Sequence, residues 1–319
     1  MRTSFLWIFL TLAVPLAGLS VLADDGIKAD VPIKHRFLAV DESRGQLVYV
    51  DEYDASKDWT LKLAGKHRDL QLVGGNRVLL ATPNGYREYD LADQRLVKEV
   101  TGYPGGGSAR RLPDGRTILA CNARGVTFYE IDAQNRLLRQ TSFPVASTRV
   151  VRLTPQGTLL FGSGNQVFEG DLTGALLHTF SLPEGAWAYQ ALRLPNGHLL
   201  VAGGYHPRMY ELDTDGRLVE TIFSQPAEDA RSLGFHLLEG FQILSQGDLV
   251  ICNWTGHGAN DSSKGVQIVQ YSAGGKLVWQ WHDSARAGSI NGVIILDDLD
   301  PAVLNEDTSS VLQPVRRAG

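Results

Sequence analysis

Short apolar runs separated by turn residues recur along the chain, and no stretch after residue 23 sustains a helical period over three turns. The clearest run follows a Pro-x-Gly turn. Leu194-Pro195-Asn196-Gly197 leads into Leu199-Leu200-Val201-Ala202, and Leu112-Pro113-Asp114-Gly115 leads into Thr117-Ile118-Leu119-Ala120. Thr154-Pro155-Gln156-Gly157, Ser245-Gln246-Gly247 and the degenerate Gly74-Gly75-Asn76 open the same kind of run. The marker glycines Gly75, Gly115, Gly157, Gly197 and Gly247 lie 40, 42, 40 and 50 residues apart. A second marker keeps the same phase: Arg87-Glu88-Tyr89-Asp90, Tyr129-Glu130-Ile131-Asp132, Phe168-Glu169-Gly170-Asp171 and Tyr210-Glu211-Leu212-Asp213. A turn and a further apolar strand, such as Leu218-Val219, come next.

Each unit therefore holds four strands. Strand a ends at the Pro-x-Gly turn, b is the apolar run, c carries Tyr-Glu-x-Asp, and d follows an Asp-x-x-Gly turn. Four antiparallel strands at a period near forty residues mark a propeller blade rather than a helical solenoid. Five units occupy about 67–102, 106–144, 147–183, 187–224 and 236–283, and a sixth at 36–63 lacks its inner strand. The run Asn291-Gly292-Val293-Ile294-Ile295-Leu296 supplies the missing strand, which closes the ring and removes an exposed sheet edge. The expected fold is all-β, a six-bladed propeller with seven blades as the alternative.

The chain opens with Arg2, an apolar run from Phe5 to about Leu19, and small residues at Val21 and Ala23. This is the pattern of a cleaved signal peptide, so export to the periplasm or beyond is expected. The predicted organisation is a leader at 1–23, a lead-in at 24–35, the propeller at 36–300 and a loose tail at 301–319. No later segment is apolar enough to enter a membrane, and a monomer is expected. The chain has 319 residues, 43% of them hydrophobic and 20% charged, which excludes a disordered protein. A net charge of −5 carries no footprint for a nucleic-acid backbone. Cys121 and Cys252 fall three blades apart, too far for a disulfide, and are predicted to be free buried thiols.

The segment Gly247-Asp248-Leu249-Val250-Ile251-Cys252-Asn253-Trp254-Thr255-Gly256-His257, with Gly275-Lys276-Leu277-Val278-Trp279-Gln280-Trp281-His282-Asp283, resembles uncharacterised exported bacterial propellers. These are related to the quinoprotein-like and NHL-like groups. Gly275 to Trp279 is similar to the end of the tryptophan-docking motif of quinoprotein dehydrogenases, which implies that Trp279 locks one blade to the next. The resemblance does not extend to pyrroloquinoline quinone binding. Dehydrogenase activity is therefore disfavoured, and no cofactor or metal is predicted.

No local catalytic motif is present, so a site must be assembled from several blades. The a–b and c–d turns share one face of a propeller, and the longer b–c and d–a loops share the other. The longest of these belong to the last two blades. They bring Asn253, Trp254 and His257 from one b–c loop, Tyr205 and His206 from another, and Trp187 and Tyr189 from a d–a loop. The segment from Gln225 to Glu239 adds Asp229, Arg231, His236 and Glu239. Aromatic planes beside His and Asn suit a small molecule or glycan, with a protein partner as the alternative. His236 and His257 are the candidate general bases, with Glu239 to tune them, if the face is instead that of a lyase, hydrolase or transferase like the lactonase and arylsulfotransferase propellers.

Arg111, Arg152 and Arg193 each precede the Leu of a Pro-x-Gly turn, allowing one extra residue in the middle blade. They form either a cationic arc able to hold an anion, or partners for the acids Glu130, Glu169 and Glu211 that recur on strand c. The second reading is preferred, because a buried Arg needs such partners. Asp213-Thr214-Asp215-Gly216 reads as a turn rather than a calcium loop.

Overall fold

A computed structural model describes residues 32–219 and 231–305, and the leader and Asp229 fall outside them. The described chain forms six sheets of four antiparallel strands each, arranged as the blades of a propeller. No helix among the described residues is long and apolar enough to cross a membrane. The repeat seen in the sequence is the blade. All five marker glycines sit at positive φ, between 58° and 91°, in the region that glycine occupies without a Cβ penalty. The Asp-x-x-Gly marker closes on itself in the same way. Asp171 accepts hydrogen bonds from the backbone N–H groups of Thr173 and Ala175 at 2.8 and 3.0 Å.

The b strands Thr117–Cys121 and Leu249–Trp254 are buried along their whole length, whereas the outer strand Leu176–Ser181 is mostly exposed. A b strand is covered by a neighbouring blade on each face, so its sequence is a continuous apolar run rather than an alternating one. The core is accordingly divided into six clusters, one at each seam between adjacent blades. Cys121 and Cys252 each lie in one of these seams, buried and without a disulfide. Burial pushes the Cys121 thiol up to about 12.

The ring closes where the sequence predicts. Strand Ile290–Ile295 pairs antiparallel with Arg36–Asp41, with Ala39 opposite Val293, and becomes the innermost strand of blade 1. Trp279 of blade 6 packs edge-on against Phe37 of blade 1 at 6.0 Å between ring centroids, with Trp281 beside it at 5.3 Å. The Trp279 indole N–H also donates to Glu52 at 3.0 Å, so this side chain does lock the last blade to the first. The tail differs from expectation. Residues 301–305 are not loose: Gly75 and Asn76 donate to the carbonyls of Ala302 and Pro301, and Asn305 donates to that of Leu72.

A buried histidine sits on the closure seam. His35 Nδ1 meets Asp297 at 2.6 Å, and its Nε2 meets Gln270 Oε1, also at 2.6 Å. Gln270 donates through its amide nitrogen to Asp248, so its oxygen must accept from the ring. Both ring nitrogens therefore act as donors, and the ring is an imidazolium. Burial opposes that charge, but the hydrogen bonds to Asp297 and Gln270 and the nearby carboxylates outweigh it and raise the His35 pKa. The stabilisation is complete below the unfolded value near 6.5 and fades as pH climbs through the higher folded value. Replacing His35 by Phe should lower the melting temperature most at about pH 6 and progressively less towards pH 9. A deficit that grows with pH in calorimetry contradicts this assignment.

Candidate functional site at the channel mouth

Strand register places one equivalent residue from several blades around the channel mouth. Leu70, Val151, Ala191 and Phe241 of the four a strands pair with Leu80, Phe161, Val201 and Ile251 of their b strands. Two residues before each of these stand Arg68, Arg149, Tyr189 and Glu239. All four line a single pocket, together with Glu42 from the b–c turn of blade 1 and with Trp187, Tyr205, Trp254 and His257.

Glu42 is the hub of this pocket. Its carboxylate is buried, yet one oxygen faces Arg68 at 3.1 Å and Lys66 at 3.5 Å. The other oxygen accepts the Trp254 indole N–H at 2.9 Å and faces His257 Nδ1 at 3.2 Å. Burial alone would raise its pKa, but Arg68, the Trp254 hydrogen bond, Lys66 and His257 together hold it below the usual carboxylate value. Glu239 behaves oppositely. It lies on the floor, 5% exposed, and its carboxyl accepts from the Asn291 amide at 2.6 Å. Burial and the Glu42 charge push its pKa up to about 8, against the pull of Arg68, Tyr189 and Arg149. The Tyr189 hydroxyl lies close to Glu239 and Asn291 without closing a well-formed hydrogen bond to either. At neutral pH the mouth thus holds one ionised acid and one that keeps its proton. Such divergence within one cavity equips it for acid–base work as well as for binding.

A chain of five rings forms the rest of the wall. Trp187 meets Tyr205 at 5.9 Å, Tyr205 meets His236 at 6.1 Å, and His236 stacks on Trp254 at 5.9 Å. His257 then packs edge-on to Trp254 at 4.6 Å. Trp254 is almost fully buried, whereas Trp187 is 36% and Tyr205 51% exposed. Trp187 and Tyr205 are therefore partly open to solvent, and the Arg149 guanidinium lies over the Trp187 ring at 5.6 Å.

Of the residues predicted from sequence, Trp187, Tyr189, Tyr205, Glu239, Trp254 and His257 meet in this pocket, and His236 joins them through the ring chain. The exposed Arg231 does not line it. Asn253 has another role. It is fully buried and fixes the loop by accepting from His236 N–H and donating to the carbonyls of Gly234 and Val266. His206 turns away to the Tyr210 hydroxyl. The sequence reading missed Glu42, Lys66, Arg68 and Arg149 because it weighed only the longest loops. The position two residues ahead of strand a, compared across blades, carries the signal for both arginines.

The arginine set divides. Arg193 pairs with Glu169, one of the three expected acids, and Arg111 pairs with Glu88 at 2.7 Å, an acid outside the expected three but likewise on strand c of the preceding blade. Glu130 and Glu211 instead meet Arg116 and His198. Arg152 is the exception, reaching Asp69 at 3.2 Å and Gln190 at 3.2 Å beside Arg110 in the channel. The extra residue Thr154 shifts Arg152 by one position relative to Arg193, and a one-residue shift turns a strand side chain to the opposite side. No three-arginine arc exists. Asp213 spends its carboxylate on the backbone N–H groups of Asp215 and Arg217, as a turn residue does.

No family model and no curated sequence matches this chain. Among solved structures it is similar to a protein of unknown function from Bacteroides caccae, with a TM-score of 0.70 and 22% identity over 82% of this chain and 98% of that one. It is also similar to a catalytically inactive virginiamycin B lyase from Staphylococcus aureus with quinupristin, with a TM-score of 0.55 and 15% identity over 80% and 88% of the two chains. A streptogramin B lyase gives 0.52 and 14% over 81% and 88%. At these identities the likeness is one of fold.

Glu239 makes the fold less stable as pH rises from its ordinary value near 4.5 to about 8, because only the unfolded chain releases the proton over that interval. Glu239→Gln keeps the acceptor for Asn291 and removes this cost. It should stabilise the protein at neutral pH by on the order of 2–3 kcal/mol and by little near pH 4, read from urea unfolding at both.

Proposed function

We propose that this protein is an exported propeller that binds a small ring-bearing molecule at its channel mouth. The ligand, an aromatic compound or a sugar, lies against Trp187 and Tyr205 and reaches towards the carboxyl of Glu239. The observation that carries this reading is the chain of five rings ending in two partly exposed rings above a buried polar floor. Exposed aromatic planes cost the free protein hydration, and a stacking partner recovers it. Tyr189, Glu239, Trp254 and His257 complete the proposed site, and the export step rests on the leader at residues 1–23.

A second reading makes the same pocket catalytic. It draws on the opposed acidities of Glu42 and Glu239 and on the His257–Glu42 pair, which leaves His257 Nε2 available as a base while Glu239 supplies a proton. Its reaction class is an elimination or ring opening, in which base and acid act on one ligand. Incubation with bound ligands, followed by mass spectrometry, separates turnover from binding.

Trp187→Ala and Tyr205→Ala should each weaken binding of para-nitrophenyl glycosides about five- to tenfold, the range expected for one lost aromatic stacking partner. The melting temperature of Tyr205→Ala should stay close to that of the parent protein, since half of that side chain is exposed, whereas Trp187→Ala should lower it modestly, since Trp187 is only 36% exposed. Unchanged affinity in both variants moves the site away from the mouth.

A further inference from the structure

The mouth holds more positive charge than its acids balance. Arg68 and Lys66 both converge on the one carboxylate of Glu42. Arg149 has no such partner: it makes no ion pair and no hydrogen bond among the described residues, and it lies over the Trp187 ring within electrostatic reach of Glu239 and Tyr189. The loop that carries it is nonetheless fixed. Asn122 accepts from Thr148 N–H at 2.7 Å and donates to the Thr148 carbonyl at 2.9 Å. The Arg149 guanidinium, 5.6 Å from the centre of the Trp187 ring, spends none of its N–H groups on a hydrogen bond to the described residues, and a guanidinium takes an oxyanion through two parallel hydrogen bonds.

The space beyond Arg149 matches. A second lobe of the mouth opens beside Gly105-Gly106-Gly107; Lys66, Arg68 and Arg149 all line it, and among the described residues no Asp or Glu does. Trp187 belongs to both lobes.

We propose that the ligand of the channel mouth is an acidic ring compound, whose carboxylate or ester-linked oxyanion is held by Arg149 with Arg68 and Lys66 while its ring lies on Trp187. This assignment rests on the ring-binding reading and narrows it from ring compounds in general to anionic ones. The acids of the pocket enter through charge. Three cationic side chains face one ionised carboxylate as long as Glu239 keeps its proton. Glu239 is faced by Glu42, Arg68, Arg149, Tyr189 and the Cys252 thiol, and it carries a raised pKa of about 8. Above that pH a second negative charge appears next to the anion site, so affinity for the acid falls as pH rises.

The test is calorimetric titration with matched probes, para-nitrobenzoate against para-nitrobenzamide, and para-nitrophenyl glucuronide against the glucoside. Each acid should bind at least tenfold more tightly than its neutral partner. Arg149→Gln should erase that preference by weakening the acid far more than the neutral probe, with the fold kept as judged by the melting temperature. In the parent protein the preference should shrink between about pH 7 and pH 9, and in Glu239→Gln it should stay constant. Equal binding of acid and neutral probes overturns this proposal and leaves the ring-binding reading standing. An acid preference that survives in Arg149→Gln overturns the assignment to Arg149, and binding of neither class overturns the ring-binding reading itself.

Discussion

The pairing of Ile290–Ile295 with Arg36–Asp41 is the constraint on which the rest depends. It joins segments at opposite ends of the described chain, and without it blade 1 has no inner strand and blade 6 has no neighbour for Trp279. The same pairing builds the pocket. Glu42 follows directly on Asp41, and its backbone N–H is tied to the Ser289 carbonyl at 3.0 Å. Asn291, on the closing strand, holds the Glu239 carboxyl. Closure thus fixes both acids of the mouth at once, one from each side of the seam.

Once in place, the two acids diverge for reasons that belong to their surroundings rather than to their chemistry. Glu42 is met by two cations, a histidine and an indole N–H, so its charge is cheap to keep even though it is buried. Glu239 has one amide donor and a negative neighbour, so its charge is expensive. Low-dielectric surroundings amplify both effects. The mouth consequently carries a positive balance while the chain as a whole is acidic, at a net −5. The local field at the pocket, not the overall charge, is what a ligand meets on docking.

Most of the fold was legible because its determinants are local and repeated. Glycine at the a–b turn is forced by positive φ, the apolar strands by burial on both faces, and the missing strand of blade 1 by arithmetic on the blade count. The aromatic half of the site was legible for a related reason: long loops stand out against a regular repeat. The charged half was not. Glu42, Arg68 and Arg149 sit in short connections of other blades, and only the three-dimensional ring brings them to Glu239. Arg152 shows the limit most sharply. One added residue in its turn reversed the side on which its guanidinium emerges, and a sequence alignment that tolerated the gap could not register the reversal. The start of the tail was misread because residues 301–305 hold on by backbone hydrogen bonds, which side-chain identity does not announce.

The most direct measurement is the carboxyl carbon resonance of Glu239 followed against pH in glutamate-labelled protein, with Glu239→Gln to assign the signal. The closed mouth described here requires a midpoint near 8, with the Glu42 signal already ionised well below neutral pH. A Glu239 midpoint near 4.5, the ordinary value, would mean that the carboxyl is solvated and that the closing strand does not build the pocket described.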